Sequence, residues 1–419
     1  MTQRGRGLPM GDSPTDRLAA EVAAQLSGFG SRAGFSRRGF LRTASVSAMA
    51  LGGGGLLAAC GTEGTQQTTE SCQSTDISDT EKLLVFSNWP LYLDEDDDGA
   101  YPTLRDFETQ SGIKVTYNTD VNGNNEFFAK VRNQLGACET TERDIFVLTD
   151  WMAARVIAGG WTQELDMANM PNVKANLVDS LREPSWDPGR KYSVPWQSGL
   201  TGIAYNAKFT GEVSSFEELV TRPDLKGKIS LLSEMGDTMG FVLKLIGADP
   251  NNFSDEEWTE ALAKMEEIVA SGQVRKFTGN DYTKPLNRGD LVACEAWSGD
   301  VIAMQYDNPD IKFVVPTEGM ALWSDNMMVP NKADHKANAE ALMNYYYDPE
   351  VAARLAAWVN YICPVKGAEE AMAALDDSLV GNSLIFPSPD DLAGTFAFMA
   401  TDTKTREKFD KDFNQVIGA

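Results

Sequence analysis

Histidine is almost missing from this chain: His335, in the polar run NKADHKAN, is the only one among 419 residues. The five cysteines show no C-x-x-C spacing, so a structural zinc site is excluded and His335 is expected at the surface. Nucleotide-binding and common hydrolase signatures are missing as well. There is no P-loop and no G-x-S-x-G elbow, and the lone histidine has no nucleophile near it in sequence. No stretch approaches the roughly 18 apolar residues that a membrane span requires. Basic residues are scarce, with 37 Lys and Arg against 61 Asp and Glu. Seven of the basic and three of the acidic residues lie in the first 59 positions, leaving 30 against 58 and a formal charge of −28 beyond them. A surface of that sign excludes nucleic acid as a partner and attracts small cations.

The N-terminal segment has its own chemistry. FSRRGFLRTASVSAMALGGGGLLAAC places Arg37 and Arg38 ahead of a weakly apolar stretch that ends in LAAC at Cys60. Twin arginines before a moderately apolar run read as a twin-arginine export signal, residues 1–59, and LAAC resembles a bacterial lipobox in which Cys60 is lipidated. Residues 60–81, GTEGTQQTTESCQSTDISDT and its flanks, are polar without apolar periodicity and read as a flexible tether. The remaining chain is then expected outside the cytoplasmic membrane. Disulfides are permissible there, and of the three pairings open to Cys72, Cys138, Cys294 and Cys363 the expectation is Cys72 with Cys138 and Cys294 with Cys363.

From residue 82 the apolar pattern alternates between strand and helix periods. KLLVFSNWP is a short buried run closed by Pro90. A helix then ends at Gly112, and IKVTYN, an amphipathic NEFFAKVRNQL and the buried strand RDIFVLTDW follow. Such alternation implies a doubly wound, mostly parallel α/β sheet whose ligands bind beyond the carboxyl ends of the strands. A chain this long suggests two lobes with a cleft between them. KYSVPWQSGLTGIAYNA (191–207) and ALWSDNMMVP (321–330) read as the two crossings, which puts 82–199 and 324–365 in the first lobe and 200–323 and 366–419 in the second. SDEEWTEALAKMEEIVASG has the Ser254 to Glu257 spacing of a helix capping box.

Aromatic and acidic residues coincide at the predicted strand ends. LWSDNMMVP sets Trp323 and Asp325 two positions apart, hence on one face of a strand, and ACEAWSGDV repeats the theme with Trp297 and Asp300. A buried alkylammonium loses several kcal/mol of hydration, so its site must offer carboxylates to the nitrogens and apolar faces to the methylenes. Tryptophan and tyrosine serve both needs, adding about 0.5–2 kcal/mol for a cation over the ring.

FSNWPLYL, TGIAYN, WSGD, EGMALWSDNMMVP and VNYICPV, in this order and spacing, resemble the putrescine/spermidine-binding proteins of bacterial ABC uptake systems over residues 82–400. The resemblance implies a two-lobed, type II periplasmic-binding-protein fold. It also implies no enzymatic activity, no cofactor, an ABC permease as partner and a monomer. Carried over by position, it implies ligand contacts from Trp89, Tyr92, Trp151, Glu234, Asp237, Trp297, Asp300, Trp323, Asp325 and Tyr361. Pro90 stands where members often have a hydroxyl residue, Trp151 where tyrosine is frequent, and Ala397 where spermidine binders carry an amide. Asp300 points to the putrescine type and the Glu234/Asp237 pair to the spermidine type, so the polyamine stays open. A sugar-binding lipoprotein or extracellular glycosidase is the alternative, because paired acids with aromatic platforms also suit sugars. LDEDDDGAY offers Asp94, Asp96, Asp98 and Gly99 as the start of a calcium loop, but Arg105 holds the position that needs a bidentate glutamate. MNYYYDPE, a possible tyrosinate iron motif, fits a helix closed by Pro349 instead.

Overall fold

The computed structural model describes Cys72, residues 74–399, Thr401 and residues 403–418. Arg37, Arg38 and Cys60, and with them the export signal and the lipidation site, lie outside the described residues. With shorter helices left unlabelled, the chain runs β1 (Leu83–Ser87), α1 (Pro102–Ser111), β2 (Lys114–Asn118), α2 (Asn124–Ala137), β3 (Ile145–Thr149) and α3 (Asp150–Ala158). It continues with β4 (Val194–Asn206), β5 (Ile229–Leu232), α4 (Met235–Leu245), α5 (Asp255–Ala270), β6 (Val274–Thr278), β7 (Ala293–Trp297), α6 (Ser298–Asp307) and β8 (Ile311–Val314). The last elements are β9 (Met320–Met328), α7 (Lys336–Tyr346), α8 (Pro349–Val359), β10 (Thr395–Phe396) and α9 (Thr403–Ile417).

Local chemistry sets these boundaries. Proline opens α1, where its missing N–H costs nothing, and Gly112 closes it at φ 73°. Ser254 and Glu257 form the expected capping box on α5. β3 is buried from Ile145 to Leu148, as its unbroken apolar run requires of a strand covered on both faces.

The sheet order is β2-β1-β3-β9-β4-β7-β5-β6, with β8 and β10 paired on β4 and β9. β1, β2 and β3 are parallel, as are β5, β6 and β7, while β4 runs antiparallel to its neighbours and β9 runs antiparallel to β3 and β4 but parallel to β10. β4 joins the two halves: residues 194–201 pair with β9, and 201–205 pair with β7. β9 crosses the other way, meeting β10 at Met320 and β3 at Asp325 to Met328. A register shift interrupts β4 between Pro195 and Ser198, where the crossing begins. Separate apolar clusters flank the halves, one around Phe127, Phe146 and Met152 and another around Phe216, Phe241 and Trp258.

Four expectations need correction. Residues 74–81, read as tether, are docked: Asp76 and Ser78 accept from the backbone N–H groups of Ala337 and Asn338 at 3.0 and 3.1 Å, capping the open first turn of α7. The Cys72–Cys138 disulfide forms, with Cα atoms 5.4 Å apart. Cys294 and Cys363 are free and buried. Cys294 lies opposite Ala204, whereas Ile362 bridges Ser198, six residues earlier on β4 and roughly 20 Å away at strand rise, beyond the roughly 7 Å a disulfide spans. The chain after 366 also differs from the expected boundary. Ala368 and Met372 pack with α8, and only from Phe396 onward do side chains join the Phe241 cluster. Finally, His335 is half-buried, with Nδ1 3.1 Å from the Asp144 carboxylate.

The acidic loop is built around other contacts. Asp94 is buried and accepts from the Thr103 N–H and hydroxyl at the start of α1, and Asp96 caps its own turn. Among the described residues no cluster of three or more His, Cys, Asp or Glu could hold a metal ion. No helix among them is long and apolar enough to cross a membrane.

Candidate ligand-binding site

Four of the strand-to-helix turns at the carboxyl edge of the sheet deliver an aromatic or acidic side chain. The loop after β1 carries Trp89 and Tyr92, and α3 opens with Asp150 and Trp151. Glu234 directly precedes α4, whose first turn holds Asp237. Trp297 directly precedes α6, whose first turn holds Asp300. The partial positive charge of helix N-termini favours carboxylates at these positions. β9 adds Trp323 and Asp325 from the crossing, and Tyr361 follows α8. All ten residues singled out in the sequence line one cavity of about 320 Å³.

Donors hold the carboxylates in place. Asp325 accepts from Tyr92 Oη at 2.9 Å and from Thr149 Oγ1 at 2.7 Å. Asp300 accepts from Tyr282 Oη at 2.8 Å, Asn280 Nδ2 at 2.9 Å and Tyr361 Oη at 3.2 Å. Trp323 Nε1 donates to Thr201 Oγ1 at 3.0 Å, and that hydroxyl donates on to Asp237 at 2.5 Å. One ring therefore positions one acid through a single hydroxyl.

Four rings make a continuous edge-to-face path: Trp297 to Trp323 at 6.5 Å, Trp323 to Tyr361 at 5.5 Å and Tyr361 to Tyr92 at 5.3 Å between centroids. Two glycines make room for it. Gly199 pairs with Trp323 across β4 and β9, and a Cβ there would run into the indole ring, just as one on Gly299 would run into Tyr361. Gly199→Ala is expected to push Trp323 off its seat and to cost about 1–3 kcal/mol of stability by overpacking. Ligand affinity should fall with it, and thermal melts alongside ligand titration check both.

Residues 103–379 match the family of bacterial extracellular solute-binding proteins. The chain belongs to that family. The spermidine/putrescine-binding periplasmic protein 1 of Haemophilus influenzae is 27% identical over 331 residues, covering 78% of this chain and 88% of that protein. The putrescine-binding periplasmic protein PotF of Escherichia coli is 28% identical over 343 residues, covering 77% and 88%. A solved Listeria monocytogenes structure described as a spermidine/putrescine ABC transporter superposes with a TM-score of 0.70 at 25% identity, covering 80% of this chain and 99% of its own. The mixed sheet with its two crossing strands is thus a type II periplasmic-binding-protein fold.

In this solute-binding protein burial dominates the electrostatics of the cavity. Desolvation pushes Asp325 up to about 7, against the hydrogen bonds from Thr149 and Tyr92, and the nearby Asp150 and Asp237 charges add to the rise. Glu234 is pushed to about 7 by burial and by Asp237, with Arg406 opposing. Asp237 and Asp150 rise to about 6, again through burial first, and Asp300 rises for the same reason. Five acids therefore face a cavity that is lined by two arginines, and each arginine already has a carboxylate. Arg155 binds Glu407 at 2.6 Å, and Arg406 Nε binds Asp410 at 3.1 Å. The arrangement stores a demand for positive charge.

Sequence reasoning missed Thr149, Asp150, Thr201, Asn280, Tyr282 and Arg406. Asp150 and Thr149 could have been found, since they directly precede Trp151 at a strand end. Trp151 itself lines the cavity, but the Arg406 guanidinium already lies over its ring at 3.7 Å.

Proposed function

We propose that this solute-binding protein captures a polyamine, putrescine or spermidine, outside the cytoplasmic membrane and delivers it as a monomer to an ABC permease. The observation that carries the reading is the convergence of Glu234, Asp237, Asp300 and Asp325 on one cavity whose walls include the aromatic path Trp297, Trp323, Tyr361 and Tyr92. Carboxylates match the ammonium groups, and the rings cover the methylenes while adding about 0.5–2 kcal/mol for each cation over a face. The names of the relatives support the same ligand class.

The protein acts as a binder: ligand enters on one lobe, and the lobes close about β4 and β9, with the register shift at Pro195 to Ser198 as the point of flexure. Titration calorimetry with putrescine, spermidine and a panel of neutral oligosaccharides tests this. Saturable polyamine binding is expected. Binding of a sugar with no polyamine response would overturn the reading in favour of the sugar-binding alternative.

Export and anchoring belong to the same proposal. Arg37 and Arg38 direct the precursor to the twin-arginine pathway, and lipid on Cys60 holds the mature protein at the outer face of the cytoplasmic membrane. Cys60→Ser is expected to move the folded protein from the membrane fraction to the soluble one, because covalent lipid supplies the bilayer contact. Retention of the variant in washed membranes would remove the anchor from the proposal.

A further inference from the structure

The cavity already contains a cation of the protein's own. Arg406 projects from α9 and is only 3% exposed. Its guanidinium stacks on Trp151 and is also within 5.5 Å of the Phe398 ring. Asp410 engages Nε, but Nη1 and Nη2 have no hydrogen-bond partner among the described residues. Burial lowers the pKa of Arg406 from the usual guanidinium value, and the charges of Asp410 and then Glu234 oppose that shift. An aromatic face with a carboxylate nearby is the seat that an ammonium would take in such a cavity, and here it is filled.

That seat lies at one end of the site. Glu234 interacts with Asp237, Asp237 with Asp325, and Asp325 joins through Tyr92 and Tyr361 to Asp300. The ring path from Trp297 to Tyr92 follows Asp300, Asp325 and Asp237. Among the described residues it makes no ring contact with Trp151.

Resting on the polyamine reading, we infer that Arg406 is a specificity-determining residue: it occupies the distal ammonium seat, so the site takes a diamine, or a longer amine whose far nitrogen is acylated, and rejects a triamine. A third ammonium brought to the Trp151 end would meet a buried guanidinium of like charge. A neutral carbonyl there would instead accept from the two open Nη donors.

Titration of the full chain with putrescine, spermidine and the two terminal mono-N-acetylspermidines tests this. Putrescine is expected to bind about tenfold or more tighter than spermidine, and acetylation of one terminus should recover about tenfold or more of the spermidine loss. Arg406→Gln should shift the spermidine-to-putrescine affinity ratio by about tenfold or more towards spermidine. A wild-type protein that binds spermidine as tightly as putrescine, or a folded Arg406→Gln variant with an unchanged ratio, overturns the inference but leaves the polyamine reading standing. If Arg406→Gln does not fold, as judged by circular dichroism, the acetylspermidine comparison on the wild type decides alone. Neither derivative binding better than spermidine overturns the inference. No response to any of the four amines overturns the polyamine reading, and this inference with it.

Discussion

Asp325→Asn is expected to weaken polyamine binding by roughly 150- to 4,000-fold while the fold is retained. Removing one partner of a buried ion pair costs about 3–5 kcal/mol, because the other charge stays desolvated without its counter-charge. The substitution preserves volume, and the Tyr92 and Thr149 hydroxyls that now donate to the carboxylate can reorient to suit an amide. Trp323→Ala should cost less, about 1–3 kcal/mol of affinity, for the lost ring face and packing. Its effect is not confined to the ring, since Trp323 holds Thr201 and Thr201 holds Asp237. Residues that share one site do not act independently, so the double variant should lose less than the two single losses combined. Titrations of both single variants and the double variant with putrescine and spermidine measure the coupling. Unchanged affinity in Asp325→Asn would take the residue out of the site and remove the main support for a cationic ligand.

How much of this site could be read from the sequence follows from how far each residue's geometry is set locally. Strand alternation alone puts Trp323 and Asp325 on one face, and a strand-to-helix turn alone exposes Asp300 and Asp237 at the first turn of a helix, so these were legible. The α/β alternation likewise announced two parallel half-sheets. Thr201 and Gly199 were not legible, because their roles come from the register between β4 and β9, a pairing across more than a hundred residues that leaves no periodic trace. Arg406 sits in TREKFDKDF, which reads as one charged residue among many on an amphipathic helix. Only the packing of α9 against α5 and Phe398 decides which of its charges is buried. The docking of residues 74–81 was hidden for a similar reason. Polar residues suit a tether, and the same Asp76 and Ser78 side chains suit a distant helix N-terminus.

Polyamine affinity is expected to fall as the medium is acidified, by about 25-fold between pH 7.5 and 5.5 through Asp325 alone. In the empty protein burial raises Asp325 to about 7, so at pH 5.5 it is mostly protonated, and an ammonium beside it requires the carboxylate. Binding must then expel a proton. Glu234, also at about 7, adds to the effect if the ligand reaches it. The same shifts govern stability with the opposite sign. A carboxyl group whose folded pKa lies above its unfolded value near 4 keeps a proton in the folded state that the unfolded chain has released, so the empty protein loses stability as pH rises from about 4 to 7. Surface acids held low, such as Asp179 beside Lys366 and Arg182, act in the reverse sense, but below pH 4 and so outside this window. The empty protein should therefore melt higher at pH 5.5 than at pH 7.5, whereas the rise in melting temperature on adding saturating polyamine should be larger at pH 7.5. Calorimetry in two buffers of different ionisation enthalpy counts the protons released, and Asp325→Asn should lower that count. An affinity that is flat across this range, with no proton release, would mean that the acids are already ionised in the empty cavity. The storage of unmet negative charge by burial would then not be what draws the ligand in.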